Sequence, residues 1–245
     1  MVAYPRKVLG VLGGMGPAAS AEFMRLLAAR APARRDQEHP VVYLLSDARV
    51  PDRSAALAGT GPDPEARLKT GMQTLAAWGA DILACPCNTA HVFIDRFADT
   101  LCTPLVHIVQ ATLAAAREKN HGGAWLLATT GVESSGLYAD YARRAGYALH
   151  TVGEERQKQV QHCVELVKAG DTTGAAALLR SVAGSLLREK ELPLLTACTE
   201  LPLAYDASGL PQENAVSSLT ALADACLKIL YEDRDSSVLH RLKPL

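Results

Sequence analysis

The sequence predicts an α/β protein made of two similar lobes with parallel sheets, and three observations support this fold class. Short β-type runs alternate with helical patterns along the 245 residues, which is typical of parallel sheets covered by helices on both faces. Two kinds of segment each occur twice, in the same order and at nearly equal spacing, as in a duplicated lobe. The composition, 49% apolar and 21% charged, is sufficient for a large buried core.

The elements are expected in a regular order. The first strand covers residues 8–12 and runs into a glycine-rich loop at 13–16, before a helix with Pro17 near its start. Further strands are expected over residues 41–45, 82–84, 105–109, 125–128, 149–152 and 194–197, with a loop over 47–54 and helices over 65–78 and 217–231. This alternation implies one parallel sheet in each half of the chain.

The repeated segments show where ligands are expected to bind. The strand before Gly13 resembles the strand before Thr129, and the strand before Cys87 resembles the strand before Cys198. Each lobe would therefore present one cysteine at the carboxyl end of a parallel strand, where open α/β sheets bind ligands. If pseudo-twofold symmetry relates the two lobes, Cys87 and Cys198 lie on opposite sides of one cleft, which is the predicted active site.

Charge and hydropathy exclude several classes of function. The formal net charge is −1 with scattered basic residues, so the chain has no footprint for nucleic acid or a membrane surface. The N-terminal residues lack the pattern of a signal peptide, and Gly13 and Gly14 interrupt the apolar run that follows them. Six cysteines in a chain of this length do not suggest a disulfide scaffold. We therefore expect a cytoplasmic enzyme or binding protein with reduced thiols.

Cys87 and Cys198 are the candidate catalytic residues because each is expected at a strand end, just before a helix. Backbone N–H groups and the helix dipole at such a position lower the pKa of a thiol and favour the thiolate. Two such thiols on opposite sides of a small ligand suggest a proton donor and a proton acceptor. The reaction this pair favours is inversion of a carbon that bears hydrogen, without a cofactor. Asn88, Thr89 and Thr199 would offer hydrogen-bond donors to the α-carboxylate.

The first cysteine segment also allows two other interpretations. Cys85, Cys87 and His91 could supply zinc ligands, but their spacing is not that of a standard structural site and no second cluster follows, so no metal is expected. Cys87 and His91 could instead form a nucleophile and its base. A helix beginning near Asn88 would, however, turn His91 along the helix axis, which favours a structural role for this histidine.

The glycine-rich loop could bind a dinucleotide. Gly14, Gly16 and Ala19 match only the relaxed form of that fingerprint, with alanine in place of the third glycine. Asp36, at about the right distance for a ribose partner, precedes the second strand instead of ending it. This signal is weak beside the paired cysteines.

Seven short motifs, spread over nearly the whole chain, carry a more specific signal. They are GGMGP at 13–17, RDQEHP at 35–40, VPDRS at 50–54, PCNTAH at 86–91, LATTG at 127–131, VKAG at 167–170 and ACTE at 197–200. Together and in this order they resemble the aspartate racemase branch of the aspartate/glutamate racemase superfamily, whose members use no cofactor. The resemblance implies a two-lobed fold, an acidic amino acid as substrate and a homodimer.

The resemblance also implies roles for individual residues. Cys87 and Cys198 would be the two catalytic acid/bases, and the presence of both favours racemisation in either direction. Arg53 and Lys168 match basic residues thought to grip the side-chain carboxylate of a dicarboxylate substrate. The other substrate-binding candidates lie in the same motifs and are Met15, Ser54, Asn88, Thr89, Ala90, Thr129, Thr130 and Thr199.

The start of the last helix departs from the family pattern. Many relatives carry aspartate there, whereas this chain has Ser217 and Ser218. Serine is also a good N-cap, so helix formation is unaffected while a cleft role for that carboxylate is in doubt. The helix is expected to return to the first lobe, which then comprises residues 1–115 and 213–245, with 116–212 as the second lobe.

Three functions remain open at this point. The leading hypothesis is racemisation of aspartate, because two cysteines with Arg53 suit an acidic amino acid. The second is a racemase for glutamate or for a broad set of amino acids on the same fold. The third is a two-lobed protein that binds a carboxylate in the cleft and does no chemistry.

Overall fold

The computed structural model describes residues 5–232, which form two four-stranded parallel sheets flanked by helices. The first sheet contains β1 (Leu9–Gly13), β2 (Val42–Ser46), β3 (Ile82–Ala84) and β4 (Leu105–Val106), in the spatial order β2-β1-β3-β4. The second contains β5 (Ala124–Ala128), β6 (Leu149–Thr151), β7 (Leu194–Ala197) and β8 (Ala215–Ser217), in the order β6-β5-β7-β8. The two orders are equivalent, which confirms the predicted fold class of two similar α/β lobes.

Helices connect the strands and cover both sheets. They are α1 (Pro17–Arg30), α2 (Arg53–Leu57), α3 (Glu65–Ala77), α4 (His91–Ile94), α5 (Ile108–Lys119), α6 (Thr130–Ser134), α7 (Leu137–Arg144), α8 (Glu154–Lys168), α9 (Thr172–Glu189), α10 (Leu201–Ser208) and α11 (Ser218–Tyr231). The central strands β1, β3, β5 and β7 are buried along their whole length. Continuous apolar runs form these strands because both faces of a covered parallel sheet are dry.

The fourth predicted strand is shorter than expected. The prediction of strand over residues 105–109 is wrong beyond Val106, because Ile108 and Val109 begin α5. Their side chains share one buried helix face with Leu113 and Ala116, and that spacing has the period of a helix. The apolar run over residues 105–109 was compatible with a strand or a helix. Residues from 108 onwards form a helix because their buried positions continue with helical spacing through the following turns.

Two further elements differ from the predictions. The loop expected over residues 47–54 ends early, because α2 begins at Arg53 with the Asp52 carboxylate as its N-cap, accepting from Ala55 N at 2.7 Å. The strand β8 was not predicted, since its three residues carry no recognisable period. It pairs with β7 in the register Leu194↔Ala215 and completes the second sheet.

One apolar core extends through both lobes. Its buried residues come from β1 and β3 in the first sheet, from β5 and β7 in the second, and from α5 and α11. The predicted return of the last helix is seen in the packing of α11 against α1 and α5. The strand β8, just before α11, nevertheless hydrogen-bonds within the second sheet. The division at residues 115 and 213 stays a prediction, and residues 1–4 and 233–245 of the predicted first lobe lie outside the described part.

The length and hydropathy of the helices were compared with what a membrane-spanning helix requires. Within residues 5–232, no helix combines the length and the apolar character that crossing a bilayer requires. The helices instead pack against the two sheets and against one another.

Candidate active site

The first half of the candidate site lies at the carboxyl end of β3. This strand is central in its sheet, between β1 and β4, and Cys87 follows it after a short turn in which Cys87 N donates to Cys85 O at 2.9 Å. The Cys87 side chain is buried, with 6% of its surface exposed, and it belongs to the same apolar cluster as Met15. The neighbours Thr89 and Ala90 are also buried.

The second half lies at the carboxyl end of β7, the equivalent strand of the second sheet. Cys198 is also 6% exposed, and its thiol donates to Glu200 Oε2 at 3.0 Å. Thr199 Oγ1 donates to the same carboxylate oxygen at 2.9 Å. Sequence reasoning assigned no role to Glu200, although the motif ACTE placed a carboxylate two residues after the cysteine.

The surroundings of Cys198 raise the pKa of its thiol well above the usual range. Burial is the largest cause, and the negative charge of Glu200 and the hydrogen bond to it act in the same direction. The positive charge of Lys168 opposes them. The expectation of a pKa lowered by the strand-end position is therefore wrong for Cys198, because desolvation and a neighbouring carboxylate outweigh the backbone N–H groups.

A buried chain of hydrogen bonds joins the two halves. Tyr138 Oη donates to Asn88 Oδ1 at 2.6 Å, and Asn88 Nδ2 donates to Ser218 Oγ at 2.9 Å. Ser218 Oγ then donates to the carbonyl of Thr196 at 3.1 Å. Asn88 follows Cys87 directly, and Thr196 precedes Cys198 by two residues, so the structure links the two cysteine segments that the sequence predicts to face each other.

The two predicted cations lie near different cysteines. Arg53 is half-buried at the start of α2, with Nη1 donating to Pro51 O at 3.1 Å, while its buried Nε has no hydrogen-bond partner among the described residues. Its charge opposes the rise in the pKa of Cys85, which burial causes. Lys168 is exposed at the end of α8, and its positive charge acts to lower the pKa of Cys198. One positive charge thus acts on each cysteine segment, Arg53 on Cys85 and Lys168 on Cys198.

The remaining predicted residues lie where α2 of the first lobe meets α6 of the second. A methyl group added at Gly131 would lie 3.2 Å from Leu57 Cδ1 and 3.7 Å from Ser54 Oγ, so these two helices touch. Thr129 caps α6 by accepting from Val132 N at 3.3 Å. The exposed Thr130 donates its backbone N–H to a glutamine of α8. Ser54, Thr129 and Thr130 therefore sit at a contact between the lobes.

His91 contacts the backbone of Cys87 and not its thiol. Its Nδ1 lies 2.9 Å from Cys87 O, so Nδ1 carries the proton, and Nε2 is buried without a partner among the described residues. Burial and the neighbouring His107 lower the pKa of His91 to about 3. This geometry gives the nucleophile–base interpretation no support and agrees with the structural role expected for His91. Among residues 5–232, no three His, Cys, Asp or Glu side chains gather into a metal-binding group.

Packing explains the glycine-rich loop. Gly14 has φ +92°, and a methyl group there would lie 2.4 Å from the backbone of Asp47, in the loop after β2. Its N–H donates to Ser20 Oγ on α1 at 2.9 Å. Glycine is therefore required at position 14 because two neighbouring loops approach closely there. This packing accounts for the glycine without any bound nucleotide.

One cavity of the structure is lined by neither of the two cysteines. It has a volume of about 370 Å³, lies beside β8 between α10 and α11, and is lined by none of the predicted site residues. The two cysteines are enclosed instead, each in the apolar cluster of its own lobe. The chemistry of the side chains, and not the size of a cavity, identifies the candidate site.

Fold and site together define a two-lobed α/β enzyme with one buried cysteine at the carboxyl edge of each sheet. A profile of the Asp/Glu/Hydantoin racemase family matches residues 12–226. The chain therefore belongs to this family, and the predicted enzyme class, an amino-acid racemase and hence an isomerase, is confirmed.

Individual relatives show how far the similarity extends. The chain is 27% identical to Picrophilus torridus aspartate racemase, with a TM-score of 0.81 over 96% of this chain and 100% of that one. It is 23% identical over 209 residues to the broad specificity amino-acid racemase RacX of Bacillus subtilis (strain 168), which is 81% of this chain and 88% of the relative. A Thermus thermophilus glutamate racemase, 20% identical over 99% of this chain and 85% of that one with a TM-score of 0.63, shares the fold.

Proposed function

We propose that the protein interconverts L- and D-aspartate by proton transfer between Cys87 and Cys198, without a cofactor. The observation that carries the proposal is the buried chain of hydrogen bonds from Asn88 through Ser218 to Thr196, which ties the two cysteine segments together. Proton transfer to and from one carbon requires both thiols to be held in one defined arrangement. The similarity to an aspartate racemase over almost the whole chain supports the choice of substrate.

The proposed inversion consists of two proton transfers. The Cys87 thiolate takes the α-hydrogen as a proton, so the C–H bond breaks, an S–H bond forms and the electron pair delocalises into the α-carboxylate. The Cys198 thiol then gives its proton to the opposite face of the carbon, and its sulfur becomes the thiolate. The raised pKa of Cys198 and its hydrogen bond to Glu200 support this thiol as the proton-bearing partner. The reverse reaction exchanges the two roles.

The charges around the cysteines support a dicarboxylate substrate. Backbone N–H groups and the hydroxyl of Thr89 would hold the α-carboxylate, where negative charge develops during proton removal, and Thr199 would join them by turning its hydroxyl proton away from Glu200. Arg53 and Lys168 would bind the distal carboxylate, and the Nε of Arg53, which has no partner among residues 5–232, supports this role. Together these groups give the substrate one anion site at each end.

A broader substrate range is the second candidate function. The Bacillus relative is named a broad specificity amino-acid racemase, and its similarity extends over most of this chain. Glutamate differs from aspartate by one methylene group, and such a difference changes binding by only about 1 to 3 kcal/mol in a hydrophobic pocket. The substrate must therefore be decided by direct comparison.

Incubation with L-aspartate in deuterated water tests the function. We expect solvent deuterium at the α-carbon together with loss of optical purity, and L-glutamate in parallel measures the preference between the two acids. Cys87→Ala and Cys198→Ala should each abolish inversion. Cys226→Ala, which removes a fully buried thiol from the core of α11, is the matched control and should remain active. Tight binding of aspartate without exchange would contradict the proposed reaction on this substrate.

A further inference from the structure

The side chain of Asn88 is enclosed by protein, although the sequence predicts that it binds substrate. Only 3% of the residue is exposed. Its carbonyl oxygen accepts from Tyr138 and its amide nitrogen donates to Ser218, at 2.6 and 2.9 Å. Both halves of the amide therefore already have partners. Removing either partner would leave part of a buried amide unpaired, which costs about 1 to 3 kcal/mol.

The direction of each hydrogen bond in this chain is determined. The carbonyl of Thr196 can only accept, so the single hydroxyl proton of Ser218 is directed to it. The oxygen of Ser218 must then accept from Asn88, which places the amide nitrogen on that side and the amide oxygen towards the Tyr138 hydroxyl. An aspartate at position 88 would lack the required donor. The arrangement thus demands an amide and not merely a small polar residue.

This chain of hydrogen bonds connects elements of both lobes that lie next to the two cysteine segments. Tyr138 is the second residue of α7 and Ser218 is the first of α11, and both are 0% exposed. Thr196 lies on β7, two residues before Cys198, and is 1% exposed. Three consecutive hydrogen bonds therefore run from the second lobe, through the residue after Cys87, and back to β7, the strand that Cys198 follows.

We propose that Asn88, Tyr138 and Ser218 are positioning residues that set the location of Cys87 relative to Cys198. The proposal rests on the proposed racemisation. Inversion requires both sulfur atoms to be aligned with one carbon, and a misplacement of about 1 Å can cost about 100-fold in rate. Proton removal alone requires only one of them.

Ser218→Ala and Tyr138→Phe test the positioning role on aspartate in deuterated water. We expect kcat for inversion to fall about 10- to 100-fold, with KM changed by less than about twofold. Deuterium incorporation without inversion should fall less, because it needs a single thiol. A rise in KM at unchanged kcat in these variants would overturn the proposal, since the disturbed amide would then be acting in substrate binding.

Two matched controls separate positioning from loss of stability. Ser217→Ala removes the N-cap of the same helix, where Ser217 Oγ accepts from Thr220 N at 3.3 Å, and leaves the chain of hydrogen bonds intact. Tyr147→Phe removes a buried hydroxyl that donates to Asn120 O at 3.0 Å, away from both cysteines. Both controls should lose some stability while keeping the kcat of the unaltered protein. An equal loss of kcat in the controls would contradict the proposal.

A second measurement needs no substrate. Iodoacetamide labelling followed by mass spectrometry of each cysteine peptide should show Cys87 labelled several times faster in Ser218→Ala and Tyr138→Phe, with Cys163 and Cys226 still protected in the core. Unchanged labelling of Cys87 overturns the positioning proposal whatever the activity. Absence of exchange in the unaltered protein, on both aspartate and glutamate, rejects the proposed racemisation separately. The two failures are therefore distinguishable.

Discussion

At the level of single residues, the two cysteines of the candidate site have different neighbours. The thiol of Cys198 donates to the Glu200 carboxylate, whereas the carbonyl of Cys87 is held by His91 Nδ1 at 2.9 Å. An equivalent pair of strands thus ends in two unequal environments. Under the proposed mechanism this asymmetry predicts a different pH dependence for the two directions of the reaction, because one direction would use Cys198 as thiol and the other as thiolate.

Glu200→Gln should shift the pH dependence of one direction. Glutamine keeps an oxygen that can accept from the thiol but removes the negative charge, so the pKa of Cys198 should fall. For the enantiomer that requires the Cys198 thiolate, the rising limb of kcat/KM against pH should move to lower pH. Profiles measured from both enantiomers check this. A profile that does not move, with full activity retained, would show that Glu200 has no effect on the thiol.

His91 should make the folding stability depend on pH. Burial and His107 lower its pKa to about 3 in the folded protein, against about 6.5 when unfolded, so the unfolded chain binds more protons between these values. The contribution is therefore fully present above pH 6.5 and is lost as the pH falls towards 3, at about 1.4 kcal/mol per pH unit.

Urea unfolding at several pH values measures this contribution. His91→Asn is the informative variant, because its amide can still donate to the carbonyl of Cys87 but does not titrate. The free energy of unfolding of the variant should vary less steeply between pH 6.5 and pH 3 than that of the unaltered protein. Equal slopes would mean that His91 is not the titrating group.

At the level of elements, the predicted site residues lie on short loops that follow the strands, and contacts between these loops determine their positions. The loop between β1 and α1 approaches the loop after β2 so closely that only glycine fits at position 14. The loop is also tied to α1 by the bond from Gly14 N to Ser20 Oγ. Met15, a predicted site residue, follows directly. Its location therefore depends on the close contact that its neighbour makes.

Gly14→Ala and Gly79→Ala form a matched pair for this contact. Both glycines have nearly the same backbone angle, φ +92° and φ +94°, but a methyl group meets Asp47 at the first position and open space at the second. Gly79→Ala should cost about 1 to 3 kcal/mol for the backbone angle alone. Gly14→Ala should cost at least about 4 kcal/mol, because the clash is added. Urea unfolding compares them, and equal losses would contradict the role of the contact.

Element prediction succeeded where the apolar period was long and failed where it was short. Buried runs such as β1 and β5 and the amphipathic α3 were predicted within about a residue or two, because burial on both faces or on one stripe determines their pattern. β8 has three residues and could not be recognised, since such a segment becomes a strand only by pairing with β7. The end of β4 at Val106 likewise depended on packing of the next helix.

At the level of the whole molecule, the lobes share one core. Buried residues of β1 and β3 lie in the same cluster as those of β5 and β7, and α11 crosses between the lobes. A continuous core makes separate unfolding of either lobe expose apolar surface of the other. We therefore expect one cooperative transition, as for a single domain.

The two tryptophans report on the lobes separately. Trp78 follows α3 in the first lobe and is 49% exposed, whereas Trp125 lies on β5 in the second and is 4% exposed. Fluorescence of Trp78→Phe then follows the second lobe, and fluorescence of Trp125→Phe follows the first. Each urea midpoint should agree with the midpoint from circular dichroism of the same variant. A fluorescence midpoint that departs from the circular dichroism midpoint would show that the lobes unfold independently.

The sequence by itself determined the two-lobed α/β class and the racemase family, and it supplied the prediction that Cys87 and Cys198 act as a pair, because strand periodicity, repeated segments and short motifs can be recognised along the chain. Only the tertiary structure showed that Glu200 contacts the Cys198 thiol and that Asn88 is held between Tyr138 and Ser218. Desolvation and hydrogen-bond partners depend on residues brought together from distant parts of the chain. No local pattern specifies them, and they decide the protonation and the placement of the thiols.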